Sequence, residues 1–226
     1  MNSTLQLRPD LHGLPVVMLL AHRKVVVIGA GNIATRKIEG LINSGATNIT
    51  VVAPLVSDEV KEWEKQNIIK LHIREFEVSD LDGAFYVCTA TEKNEVNTKV
   101  FQYCESQNIV CNSADDPNNC SAILMSTVRQ GDITVAISSA GKSPALAKWL
   151  RQHVQGELGP EYKELTELLN SEREEMRSAG FSSEDVNWSE IFAKGVVDLV
   201  KDGKTEEARK VIRGVISKVT ESNVEN

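Results

Sequence analysis

Hydrophobic positions change their period twice along this chain. From Lys24 onward, short apolar runs alternate with stretches of helical period. Residues 25–28 (VVVI) form an unbroken apolar run, the pattern of a strand covered on both faces. Residues 32–44 carry Ile33, Ile38, Leu41 and Ile42 at near-helical spacing, with Gly45 placed to end the helix. Residues 49–53 (ITVVA) predict a second strand, closed by Pro54. Ser57, Asp58 and Glu59 then predict a helix start, with acids at its positive end. Further strands are predicted at 71–76, 84–88 and 109–112, and a helix at 92–106 with Val96, Val100 and Cys104 on one face.

The alternation ends at Asn112. Residues 115–119 (DDPNN) read as a loop, and two strands, 122–128 and 133–138, flank Arg129-Gln130-Gly131-Asp132 as a hairpin. Ser143-Pro144 sets a cap and a first helical residue, and nearly everything to Val219 has helical period. Predicted helices span 144–155, 160–178, 186–202 and 204–218, the first two separated at Gly159-Pro160. Residues 1–13 read as a loose arm and the last six as a frayed end. The fold class is α/β, a Rossmann-like parallel sheet followed by a small hairpin-containing segment and a helical C-terminal region. The predicted domains are 1–113, nucleotide-binding; 114–150, central; and 151–226, helical.

Composition narrows the function. Apolar residues are 41% and charged residues 25%, ordinary for a globular chain with a core. The net charge of −7 argues against nucleic acid as the main partner. Between Ser121 and Gln155 the balance reverses: Arg129, Lys142, Lys148 and Arg151 stand against Asp132 alone. That fits an anionic ligand or a solvated basic face. Residues 14–21 (LPVVMLLA) are too few to span a membrane, so no membrane partner is expected. Cys88, Cys104, Cys111 and Cys120 form no CxxC pair, and His12, His22, His72 and His153 are scattered, so no metal site is predicted. Cys88 reads as a buried small hydrophobe, Trp63 and Trp149 as packing residues, and reduced thiols point to a cytoplasmic location.

Three segments carry chemistry. Gly29-Ala30-Gly31-Asn32-Ile33-Ala34 is a GxGxxA turn between a strand and a helix. Gly29 suits the tight turn, Gly31 admits a pyrophosphate, and Ala34 allows close helix packing. No Asp, Glu or basic residue follows the second strand at Val52-Ala53-Pro54-Leu55, so the residues alone do not separate NAD from NADP. Asp115 and Asp116 follow the fifth strand, where a general base and an Asx turn before Pro117 are equally open. Residues 137–144 (ISSAGKSP) combine hydroxyls and a Lys at a helix start, as an anion-binding loop or a plain capped turn.

These segments, in order, resemble the precorrin-2 dehydrogenase family, which forms the N-terminal module of siroheme synthases. The resemblance runs over about residues 14–178. It is carried by KVVVIGAGNIATRKIEGLINSGATNITVVAP (24–54), TATEKNEVN (89–97) and CNSADDPNNCSAILMSTVRQGDITVAISSAGKSPALAKWLR (111–151). It implies NAD as cofactor and oxidation of precorrin-2 to sirohydrochlorin; some members of the family also insert ferrous iron. The catalytic carboxylate of the family falls on Asp115, three residues after Asn112. Nucleotide contacts fall on Gly29, Gly31, Asn32, Ile33, Pro54 and Leu55. Substrate contacts fall on Ser138 and Ser139, Ser139 the better placed, and the loop's own chemistry adds Lys142 to them. The resemblance also implies a homodimer joined through the middle segment. Ala140 stands where the family pattern has Gly. With the chain ending at residue 226, the methyltransferase module fused in some siroheme synthases is expected on another protein. The competing readings are a non-catalytic NAD-sensing regulatory module and a dehydrogenase for a small anionic metabolite.

Overall fold

The structure is a computed structural model that describes residues 13–114 and 116–224, those after 218 by their backbone alone. The chain forms two compact units, the first ending at Leu124 and the second beginning at Met125.

The first unit is a five-stranded parallel sheet of order β3-β2-β1-β4-β5. Its strands are β1 (Lys24–Ile28), β2 (Asn48–Val52), β3 (Ile69–His72), β4 (Tyr86–Thr89) and β5 (Val110–Ser113). Helices α1 (Asn32–Ile42), α2 (Asp58–Lys65) and α3 (Asn94–Gln107) cover it. Period-two alternation inside β1 explains its unbroken apolar run. Val25 and Val27 belong to the core with Ala34 and Ile38 of α1 and Val60 of α2. Val26 and Ile28 belong to the opposite core with Val100 and Cys104 of α3. Both faces are thus dry, as a central parallel strand requires. Cys88 is buried as expected.

Local chemistry sets the element ends. Ser57 caps α2 by accepting from the Val60 N–H, with Asp58 and Glu59 in the first turn. The third strand starts and stops earlier than its pattern predicts. Ile69 and Lys70 pair with Ile49 and Thr50, whereas Arg74 is drawn away by a fork-to-fork pair with Asp80 at 2.9 and 2.5 Å. That pair ties a short 3-10 turn, Val78–Leu81, across the link to β4 where a helix would otherwise stand. The Arg74 guanidinium holds the Asp80 carboxyl below the usual carboxylate range.

In the second unit, β6 (Ser126–Gln130) and β7 (Ile133–Ile137) form an antiparallel hairpin outside the parallel sheet. Gly131 leads its two-residue turn at φ +58, the Gly-first pattern of a tight hairpin. Helices α4 (Pro144–Glu157), α5 (Glu161–Ser178), α6 (Trp188–Ala193), α7 (Val196–Lys201) and α8 (Thr205–Val224) follow. The predicted helix at 186–202 is two helices, because Gly195 takes φ +76 between them. Leu165, Leu168, Ile191, Val196 and Ile212 build the common core of α5, α6, α7 and α8. Within it lies Glu172, only 3% exposed, accepting from Arg209 at 2.5 Å and Arg213 at 2.8 Å.

Glu172→Ala leaves two guanidiniums without their shared acceptor. It is expected to destabilise the second unit by about 1–3 kcal/mol, the range for removing a partner from a buried polar pair. Glu174→Ala removes only an exposed pair with Arg177 and should leave the melting temperature nearly unchanged. Thermal unfolding of both variants, with equal melting points as the contrary result, checks this.

Candidate active site

Strand order places a crevice before any ligand is considered. The chain leaves β1 through α1 to β2 on one side, then returns from β3 to β4 on the other. Such a reversal opens the carboxyl edge between β1 and β4. Register aligns Ile28 with Val52 and Thr89, and Thr89 with Ser113, so four strands end on one line.

The Gly-rich turn sits on that line. Gly29 donates to Val52 O at 2.9 Å and Ala90 donates to Ile28 O at 2.9 Å. A Cβ on Gly29 would stand 2.4 Å from the Ala90 carbonyl oxygen. Gly31 is the opposite case: nothing lies within 4 Å of where its Cβ would be. It precedes α1 with extended backbone, no side-chain cap and no acid in the first turn. The positive helix end therefore faces open space, which fits a pyrophosphate. Asn32 and Ile33 are exposed beside it. From behind, Ser57 donates its backbone N–H to Ala30 O at 3.0 Å, and its hydroxyl meets Thr35 Oγ1 at 2.9 Å. Pro54 and Leu55 follow β2 as exposed residues, Leu55 at 83%.

The loop after β5 begins on the same edge. Ala114 donates to Thr89 O at 2.8 Å, and the buried Thr89 hydroxyl donates to Ser113 Oγ at 2.9 Å. Asp115 lies outside the described residues. Asp116 is a loop former: its carboxylate accepts from Asn119 Nδ2 at 2.6 Å before the short 3-10 turn Pro117–Asn119. Asn112 accepts from Lys37 Nζ at 2.6 Å and donates to Ala122 O at 2.9 Å. Composition gave Lys37 no role; its only signal was its place in the Arg36-Lys37 pair.

In the second unit, Ser138 Oγ accepts from Ala140 N–H at 3.0 Å and Ser139 Oγ from Ser143 N–H at 3.1 Å. Each hydroxyl keeps its O–H as a donor. Ala140 stands at φ +52 and Gly141 at φ +76, so the position where Ala replaces the expected Gly is a left-handed one. Lys142 is exposed, and Ser143 caps α4 by accepting from Leu146 N–H at 3.3 Å. Trp149 departs from its expected packing role. It is 58% exposed and stacks on His153 with ring centroids 5.5 Å apart. Trp63 packs on the sheet core. Among the described residues, no His, Cys, Asp and Glu side chains gather in a group of three or more that could hold a metal ion. No helix among them is long and apolar enough to cross a membrane.

Comparison with known proteins bears on both units. An NAD(P)-binding family matches residues 16–126, and the family described as sirohaem biosynthesis protein central matches residues 130–157. The siroheme synthase of Photobacterium profundum is 30% identical over 199 residues, 87% of this chain and 42% of that protein. Siroheme synthase 1 of Aeromonas hydrophila is 33% identical over 165 residues, 73% of this chain and 35% of that protein. The siroheme synthase of Methylobacillus flagellatus is 32% identical over 206 residues, 90% of this chain and 44% of that protein. The chain thus spans less than half the length of these curated relatives. Among solved structures, "SirC, precorrin-2 dehydrogenase" superposes with a TM-score of 0.68 at 25% identity, covering 91% of this chain and 100% of that one.

Gly31→Asp is expected to fold, since its Cβ meets open space, and to lose NAD binding, since a carboxylate would occupy the phosphate position. Gly29→Ala is expected to lower the melting temperature through the Ala90 clash. Calorimetric titration with NAD reads the first; unchanged affinity in Gly31→Asp overturns the nucleotide assignment.

Proposed function

This chain belongs to the siroheme synthase and precorrin-2 dehydrogenase family, and from that premise we propose that it oxidises precorrin-2 to sirohydrochlorin with NAD. The observation that carries the reading is the shared edge. The Gly-rich turn leaves β1, and the segment Asn112-x-x-Asp115 leaves β5, where paired strands end in register.

Precorrin-2 gives up two hydrogens, one as hydride and one as proton. Bound NAD supplies the hydride acceptor. The chain itself supplies position and proton handling. Gly29, Gly31, Asn32 and Ile33 present backbone to the dinucleotide, with Pro54 and Leu55 beside it. Asp115 takes the proton that leaves the macrocycle. Ser138 and Ser139 donate their hydroxyl protons to substrate carboxylates, and Lys142 adds a positive charge. In this reading residues 1–113 hold the nucleotide, 114–150 the reacting groups and the contact of a homodimer, and 151–226 a helical support. The four free thiols favour a reducing cytoplasm.

Asp115→Ala is expected to lose about 10²–10⁴-fold in turnover while keeping NAD affinity, the usual contribution of a general base. Asp116→Ala keeps most turnover, because its carboxylate is engaged by Asn119. The test is anaerobic incubation with precorrin-2 and NAD, following NADH and the macrocycle spectrum. Ferrous ion in a parallel sample tests iron insertion, in which the same carboxylate accepts pyrrole N–H protons. A wild-type protein that binds NAD and leaves precorrin-2 unchanged is a sensor, and that result overturns the reading. Full turnover in well-folded Asp115→Ala removes Asp115 from catalysis. A monomer by light scattering at micromolar concentration removes the dimer.

A further inference from the structure

The loop that leaves β5 is closed at a neck. Ser121 and Ala122 both donate backbone N–H groups to Cys111 O, at 2.8 and 3.1 Å. The Ser121 hydroxyl accepts from Cys111 N–H at 2.8 Å, and Asn112 Nδ2 donates to Ala122 O at 2.9 Å. Cys120 fills the space behind the neck. Its sulfur accepts from Ser113 N–H at 3.1 Å and lies 3.3 Å from the carbonyl oxygens of Ser113 and Asp116.

Lys37 reaches this neck from α1, 75 positions away in sequence. Its ammonium is half-buried and donates to Asn112 Oδ1 at 2.6 Å. Among the described residues it forms no ion pair with a carboxylate. An ammonium has three donors and no acceptor, so it can face only the oxygen of the amide, while Ala122 O and the Cys120 sulfur face its nitrogen. With the oxygen of Asn112 on Lys37, its NH₂ must face Ala122 O. A reversed amide would set N–H against ammonium and carbonyl against carbonyl. The charge makes this contact about twice as strong as a neutral hydrogen bond.

We propose that Lys37 is a positioning residue: its ammonium orients the Asn112 amide and so holds the neck of the loop between β5 and Ala122. The loop includes the Asp115 position, so the catalytic consequence rests on the function proposed above; the closure of the neck does not. Lys37 touches neither nucleotide nor substrate in this role and acts through Asn112.

Cys120 reports on the neck. Burial pushes its thiol up from its ordinary value, Lys37 opposing, and Cys88, Cys104 and Cys111 are buried in the same unit. Labelling by N-ethylmaleimide then tracks how often each thiol is opened to solvent. In the full chain with NAD, Lys37→Met is expected to speed Cys120 labelling about tenfold, the population shift from losing one charge-assisted bond. Labelling of Cys88, Cys104 and Cys111, resolved by mass spectrometry, should stay slow. NAD affinity should hold, and kcat for precorrin-2 should fall more than KM changes. Lys37→Arg should restore slow labelling and most of kcat. If Lys37→Met does not fold, Lys37→Gln, a neutral donor, should label at an intermediate rate. Unchanged Cys120 labelling overturns the inference, as does a parallel rise at all four thiols, which would mean general loosening. A wild type without turnover defeats the proposed function and leaves the thiol result to decide this one.

Discussion

The chain leaving β1 passes the chain leaving β4 with no room for a side chain between them. At residue 29 a Cβ would stand 2.4 Å from a backbone oxygen, not from the movable end of a side chain. Glycine fits there because it has no Cβ and because φ +111 is open to it. That close approach fixes where the turn lies against the sheet, and hence where α1 begins. The uncapped end of α1 then faces the crevice. The end of β2, bonded to Gly29, and the start of α2, bonded to Ala30, are set by the same turn. The edge on which the β5 loop starts is one register step away through β4.

Most of the sheet was legible because its elements are decided locally. The run at 25–28 is apolar at every position, and only burial on both faces explains that in a chain otherwise 25% charged. Ser57 followed by two acids marks α2 for similar reasons. Illegible parts are those decided by a distant partner or by one backbone angle. Residues 73–76 alternate like a strand, yet the Arg74–Asp80 pair turns them away. Residues 186–202 keep helical period through Gly195, and period carries no sign of its positive φ.

The candidate site divides in the same way. The Gly-rich turn is written in consecutive residues and needs only its own backbone, so it reads at once. Asp115 and Asp116 are indistinguishable by position. The structure gives Asp116 a partner in Asn119, and the family spacing, not the geometry, selects Asp115. Lys37 and Asn112 are far apart in sequence and chemically unremarkable alone; their roles exist only once the fold brings the Lys37 side chain of α1 to Asn112 of β5. Ala140 shows the reverse: a departure from the family pattern that the backbone absorbs, at φ +52, in a conformation Gly adopts more readily.

A net charge of −7 and the polycarboxylate substrate proposed above are opposed at first sight, and range resolves the opposition. Fields of exposed charges fade over a Debye length of about 8–10 Å in physiological salt. What a bound polyanion would feel is therefore its own neighbourhood. The segment between Ser121 and Gln155, which holds the proposed substrate contacts, carries four cations and one acid. The excess of acid lies elsewhere, as in α5, with six Glu against three cations. A compact polyanion needs only a local cluster and hydroxyl donors at loop ends, which Ser138 and Ser139 retain. Duplex nucleic acid spreads its charge over many Debye lengths and needs a basic face to match. The same charge distribution thus disfavours nucleic acid and is compatible with the tetrapyrrole proposed above.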